Sequence, residues 1–520
     1  MRAIHAKSQI GQFLHGAALA LATLLAGAAQ AAVPGITASG AVSTFELSAT
    51  PAYLSQPDGA SLYAWGYGCT SGTASFAPAA ILGGSCPTMQ VPGPTLIVTE
   101  GTPFTVTLSN ALPPAAGATS LLFPGLQVVS ATGGQAGLLT REAVAGNPVT
   151  YTLVAHSPGT HAYHSGTQGD LQVEMGLYGA VVVLPATPPA SCTTSGAVNL
   201  AAEVANGESD FRLASAAYDH PSSCYDREYL FQFSEMDPKI HRAAEQIATC
   251  AGACPVSMGG VATEPYHPAY FMINGRSMPD DMDPVYASQY PHQPYNGNPH
   301  LHPGELTLLR IIGQGRWQHP FHEHGNHVRL LARDGNLLLT PDGTMLAGPL
   351  LFTTTTTPGQ TMDGLFYWTG KGLNWDVFGH GYPGDPSVCV PDANGYYTSN
   401  PAAPNYYEWC GDHGKALESR PFGQVASGGP MTLPDPNILT NGPWYSGSPY
   451  LGPEALARAI NTTPIPPSGT VANSPTGEAG YAYMWHSHNE REITTDNIFP
   501  GGMLMMMLVD PRAFVIDESK

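Results

Sequence analysis

The sequence predicts an all-β protein, and three observations carry that prediction. Glycine (59) and proline (49) together make about a fifth of the 520 residues, a density of helix breakers that suits short strands joined by many turns. Charged residues are only 11% of the chain while apolar ones are 43%, ample for buried cores and too much for a disordered chain. β-Branched and aromatic runs recur between turn signals over most of the length. The formal net charge of −20 disfavours nucleic acid and anionic membranes as partners; it leaves metal cations or a basic protein open.

Taken in order, Arg2 and Lys7 precede an apolar run from Phe13 to Ala28 that ends in Ala29-Gln-Ala31. Residues 1–31 therefore read as a secretory signal peptide cleaved after Ala31, and the protein is expected to be secreted or periplasmic. The run is too short to span a bilayer, and no later stretch offers 18 uninterrupted apolar residues, so no membrane span is expected. Residues 32–190 read as a first β domain: Thr95-Leu-Ile-Val-Thr99 and Phe104-Thr-Val-Thr-Leu108 alternate, and Gly179-Ala-Val-Val-Val-Leu184 closes the block as a buried strand. Residues 191–224, rich in Ser, Thr and Pro, read as a linker with some structure. Residues 225–520 read as a second β domain. It opens with Tyr229-Leu-Phe-Gln-Phe233 and ends with Tyr481-Ala-Tyr-Met-Trp485 and Met503-Leu-Met-Met-Met-Leu-Val509, and a large loop insertion is expected around 379–480. The methionine run is read as an apolar strand, not as a copper-binding box.

Eight cysteines, an even count in an exported chain, read as disulfides. Sequence alone leaves 105 pairings open. Neighbour pairing (69–86, 192–224, 250–254, 389–410) is the simplest. Cys250-Ala-Gly-Ala-Cys254 holding a soft metal is the alternative, disfavoured because oxidation is the default outside the cytosol.

The histidines carry the chemistry. Of nineteen, three groups stand out: His161-Ala-Tyr-His164, then His319-Pro-Phe-His322-Glu-His324-Gly-Asn-His327, then His486-Ser-His488. Histidines at i and i+2 of a strand project from one face, so His322/His324 and His486/His488 each present paired imidazoles to one point in space. Neutral imidazole is the ligand of choice for borderline metals such as copper and zinc. Two such pairs plus His164, all beside turn glycines, favour a metal site over hydrogen-bonded strand histidines.

His319-Pro-Phe-His322-Glu-His324-Gly resembles the His-Pro-x-His-x-His-Gly motif of multicopper oxidases. Gly159-Thr-His-Ala-Tyr-His164-Ser-Gly166, with Gln168 and Gly176-Leu-Tyr-Gly179 after it, resembles their Gly-Thr-x-x-Tyr-His-Ser-His segment. Pro92-Gly-Pro-Thr95 is similar to the start of a first-domain strand, and Trp485-His486-Ser487-His488 with Gly502-Met503 sits where the terminal His-Cys-His and Gly-Met signature belongs. The resemblance spans nearly the whole chain after residue 31. It implies two cupredoxin-like Greek-key β-barrels, with copper bound between the first domain and the second, of the same or a neighbouring subunit. Two-domain relatives often assemble as homo-oligomers, commonly trimers.

Departures from the family pattern set the functional expectation. Thr119-Ser-Leu-Leu122-Phe-Pro124-Gly125 lacks both histidines of the first motif, Gly166 replaces a histidine, Ser487 replaces the cysteine, and Glu492 stands where a second type 1 histidine would lie. A blue copper needs a thiolate, two imidazoles and a weak axial ligand, so none should form; of that site His319, with Met503, remains. By the resemblance the type 2 copper keeps only His322, one type 3 copper His164 and His488, and the other His324 and His486. One or two copper ions on regrouped histidines are expected, with His164, His322, His324, His486, His488 and His319 as metal-site candidates. Glu323, Glu490, Glu492 and Asp496 lie nearby, and residues 488–503 resemble bacterial relatives implicated in manganese oxidation. Carboxylates suit such hard cations, but a solvated loop with Arg491 paired to one of them explains the same charges. The family resemblance favours an oxidoreductase acting on metal ions or phenols, either by direct contact of substrate with the remaining copper or through an electron-transfer partner. The missing cysteine favours a copper-binding or delivery scaffold, and a metal-free structural relative is the third reading.

Overall fold

The structure, a computed structural model, describes residues 33–518 apart from 38–42, 71–74, 79–80, 82–83, 196–206, 251–257, 372–388, 402, 404–405, 412–446, 451–455, 458–470, 473–479, 511 and 513. The signal peptide expected at 1–31 and most of the insertion expected around 379–480 lie outside the described residues.

Two pairs of large sheets form, one from residues 35–184 and one from 227–509. In the first pair, one sheet runs Gly159–His164, Tyr178–Leu184, Leu96–Thr99, Gly35–Thr37, Ser75–Ala77. Its partner runs Ser61–Cys69, Ser43–Ser55, Pro103–Asn110, Val149–Val154, Gln127–Gly133. Alternation explains the faces: in Val149–Val154 the residues Val149, Tyr151 and Leu153 are buried, while Thr150 and Thr152 stand opposite Thr107 and Thr105. Trp65, Val106 and Tyr151 from one sheet meet Leu96, Tyr163 and Val181 from the other in a single core. Burial on this scale contributes about 1.5–3 kcal/mol per large side chain.

The second pair repeats the plan. One sheet runs Tyr270–Ile273, Arg227–Met236, Leu306–Gly313, Thr361–Tyr367, Val328–Arg333, Asn336–Leu337; the other runs His300–Leu301, Leu504–Val509, Gly480–Ser487, His319–Glu323, Thr353–Thr356. Phe231, Ile311 and Phe366 pack on Phe321, Trp485 and Met505, and Met505 and Met507 are fully buried, so the methionine run is core. Parallel neighbours such as Ser43–Ser55 with Pro103–Asn110, and Arg227–Met236 with Leu306–Gly313, require crossovers between sheets. The result is two cupredoxin-like Greek-key barrels.

The barrels share a polar seam. Ala162, Ala180 and Val182 lie against Leu230 and Ile312. Around them Tyr178 Oη donates to Ser234 Oγ (2.7 Å), Gln314 Nε2 to the Gly179 carbonyl (2.9 Å), and Thr160 Oγ1 to Asp363 Oδ1 (2.6 Å). The strand carrying His164 is therefore an internal wall of the molecule. The longest helix among the described residues, Pro238–Ala248, was not read from the sequence. Asp237 caps Pro238–Ala248 by accepting from the Lys239 N–H, and His241 on it donates to the Tyr63 carbonyl at 2.6 Å.

Disulfides join Cys69–Cys86, Cys192–Cys224 and Cys389–Cys410, three of the four neighbour pairings. Cys250 is disulfide-bonded as well, and Cys254 lies outside the described residues. Among the described residues no helix is long and apolar enough to cross a membrane.

Candidate metal centre

The strands His319–Glu323 and Gly480–Ser487 pair antiparallel, with His322 opposite His486. Their alternation brings four imidazoles onto one surface. Ring centroids lie 4.7 Å apart for His322 and His324, 4.8 Å for His322 and His488, 5.2 Å for His324 and His486, and 5.8 Å for His486 and His488. The Nε2 atoms of His324 and His486 face each other at 3.4 Å.

Hydrogen bonds fix the orientation of two of these rings. His486 Nδ1 donates to the Ser487 carbonyl (2.7 Å), which leaves Nε2 as its lone-pair nitrogen. His322 Nδ1 is hydrogen-bonded to Thr353 Oγ1 (2.8 Å). Burial, and then the neighbouring charges of His486 and His488, push His322 down to about 4, and burial also lowers His486. Both are neutral at pH 7, the state in which imidazole binds metal. Among the described residues no three of these rings yet offer one nitrogen each within 4.8 Å of one another; Cys389, Glu408 and Cys410 do, but both of those sulfurs are in a disulfide.

His164 lies elsewhere. It makes no ring contact with the four and lines a cleft of about 310 Å³ together with Leu122, Gly166, Gly315, Arg316 and Gly359. Its Nδ1 donates to the Ser165 carbonyl (3.0 Å), the same orientation as in His486. The two departures beside it are linked. A Cβ on Gly166 would sit 2.7 Å from Leu122 Cγ, so the leucine that replaces one motif histidine occupies the space a side chain at Gly166 would need.

His319, expected as a ligand, has both nitrogens engaged. Nδ1 meets Glu492 Oε2 at 2.9 Å and Nε2 meets Glu235 Oε2 at 2.8 Å, with all three side chains buried. Burial alone would lower its pKa, but the hydrogen bonds and charges of Glu235 and Glu492 outweigh that and raise it to about 9. Neither nitrogen is open to a metal while these contacts hold. The sequence reading missed Glu235, which lies 84 residues from His319 and carries no local signal.

The acidic residues also separate by environment. Glu323 points into the barrel core beside Thr354, and burial raises it to about 8. Glu492 is buried, whereas Glu490 and Asp496 are exposed. Arg491 donates to the Pro268 carbonyl (3.0 Å) rather than to a nearby carboxylate.

Two cupredoxin-like barrels carry the histidine cluster on the second, which makes that cluster the candidate metal site. Residues 87–188, within the first barrel, match the family model described as multicopper oxidase. No curated protein sequence matches it. Among solved structures, it is similar to a multicopper oxidase, mgLAC (14% identity, 90% of this chain and 86% of that one, TM-score 0.44). It is likewise similar to a blue copper oxidase from Nitrosomonas europaea (14%, 90% and 85%, 0.43), and to a Campylobacter jejuni multicopper oxidase described as a metallo-oxidase (14%, 65% and 53%, 0.38).

Proposed function

We propose that the chain is an exported copper oxidoreductase working from a reduced histidine site with no blue copper. The observation that carries this reading is the four-imidazole cluster of His322, His324, His486 and His488, with two Nε2 atoms 3.4 Å apart. These residues would hold one or two copper ions, which supply one-electron redox chemistry when bound. The protein's part is to keep the imidazoles neutral and oriented, through the Ser487 carbonyl and the Thr353 hydroxyl, at the edge of a barrel where His488 is exposed.

His164 belongs to the same site in this reading only if a neighbouring copy brings it there, since its own cleft is separate from the cluster. We therefore place the site between the first domain (32–190) of one subunit and the second (225–520) of another, with 191–224 as the linker and 1–31 directing export to the periplasm or outside. Substrates reach copper directly or through an electron-transfer partner; metal ions and phenols are the candidates. Glu490 and Asp496, the exposed carboxylates, are the residues available to a manganous ion. The alternative, a non-catalytic copper-binding or delivery scaffold, is favoured by one observation: Ser487 and the carboxylate-bound His319 offer no sulfur bridge into the cluster.

Copper titration followed by electron paramagnetic resonance tests the reading. An axial copper signal without blue absorbance, lost in His322→Ala and His486→Ala, is expected. Oxygen consumption with ferrous, manganous and phenolic donors then separates enzyme from scaffold. Failure of the wild-type chain to retain copper after desalting overturns both.

A further inference from the structure

Ser487, Glu492 and Met503 come together beside His319. The Ser487 N–H donates to the Met503 carbonyl (2.9 Å) and the Met503 N–H to the Glu492 carbonyl (2.8 Å). A thiolate and a second imidazole at the places of Ser487 and Glu492 would complete a blue copper set. Here a hydroxyl and a carboxylate stand there instead, and Glu235 enters from the opposite side of the imidazole. The two carboxylates sit on opposite nitrogens of one ring, so no single ion can be held by His319 and both of them.

The arrangement is closed as well as charged. Ser487 and His319 are fully buried, and Glu235 and Glu492 are 1% exposed. Uncompensated charges here would cost several kcal/mol each, so every lone pair needs a partner. Glu235 Oε1 accepts from the N–H groups of Arg316 (2.6 Å) and Trp317 (2.8 Å) and from Tyr266 Oη (3.2 Å). Glu492 accepts from Ser487 Oγ (2.5 Å) and Asn489 Nδ2 (2.9 Å). On the outer side Gly315 presses against the carboxylate: a Cβ there would lie 2.0 Å from Glu235 Oε2, leaving no ion-sized space.

We propose that Glu235, His319 and Glu492 form a clamp that excludes metal from this place and positions His486 and His488 for the copper bound nearby. This rests on the copper reading above. Ser487 lies between the two imidazole-bearing residues and Asn489 follows them, and Glu492 grips both. His319 ties that grip to the strand that carries His322. The clamp thereby sets the spacing of one His-x-His pair against the other, replacing a second metal with an internal ion pair. Glu235, His319 and Glu492 are positioning residues, none touching the cluster.

The test has two arms. Nitrogen-15 spectra of histidine-labelled wild-type protein at pH 7 should show one imidazole with both nitrogens protonated, and it should stay so after addition of copper(I). Loss of that signal on metal addition overturns the clamp. Glu492→Gln should weaken copper(II) binding at least about tenfold, the scale of outer-shell losses, and change the copper hyperfine splitting, with Glu492→Asp restoring part of both. Unchanged affinity and spectrum in a folded Glu492→Gln protein overturn the positioning role. If that variant does not fold, the wild-type spectra decide alone; if wild type binds no copper, the functional reading falls while the spectra still report on the clamp.

Discussion

Three residues apart on one strand, His319 and His322 meet opposite fates. His319 sits between two carboxylates and is raised to about 9; His322, surrounded by imidazoles, is lowered to about 4. Both are buried, so desolvation is common to them and the sign of the neighbours decides. One end of the strand is built to keep a proton and the other to be without one, which suits a metal. On the copper reading proposed above, one place on the strand is filled with charge while the adjacent one stays open.

The largest expected effect breaks the open end. His486→Ala should abolish the copper signal, lowering affinity beyond the roughly 10–100-fold of an outer-shell change, while the apoprotein melts within a few degrees of wild type. Breaking the closed end should do the reverse. Glu235→Ala strips the acceptor from His319 Nε2 and from the backbone N–H groups of Arg316 and Trp317, and should cost about 3–5 kcal/mol in chemical denaturation of the apoprotein.

The pH dependence sharpens the contrast, because the two signs differ. His319 has its folded pKa raised, so its contribution, on the order of 3 kcal/mol, is fully present below about 6.5 and is lost as pH rises through about 9. His322 has its folded pKa lowered, so the unfolded chain binds more protons between about 6.5 and about 4, and apoprotein stability falls as pH drops through that window. Urea midpoints of His319→Gln and His322→Gln apoproteins across pH 4–10 should lose the alkaline and the acid limb respectively. Coincident profiles would refute the comparison. The smallest effect concerns the His164 cleft. Gly166→Ala should destabilise by about 1–3 kcal/mol through its collision with Leu122, and Leu122→Ala should relieve much of that in a double-mutant cycle.

Much of this was legible in the residues. The alternation in Phe104–Leu108 became the strand Pro103–Asn110, and the run at Tyr229–Phe233 became the core of Arg227–Met236. The His-x-His pairs share a face because strand periodicity is local, and the short Cys69–Cys86 and Cys389–Cys410 spacings close because nearby chain ends meet at little entropic cost. The helix at Pro238–Ala248 was hidden inside an apolar-poor stretch, although Asp237-Pro238 is a cap signal. Arg491, read as pairing with a nearby carboxylate, reaches a carbonyl instead, and Glu323, read with the acidic residues around the cluster, turns into the core.

The sequence alone determined what period and spacing can encode: an all-β chain and two imidazole pairs, each on one strand face. Tertiary structure decided which imidazoles meet and what charge each one carries. Glu235 reaches His319 across 84 residues, and His164 lines a cleft apart from the four-imidazole cluster. Those outcomes depend on how the two sheets of a barrel, and the two barrels, pack together. Local pattern cannot carry them, because the interaction that sets a buried charge falls off with distance in space and not along the chain.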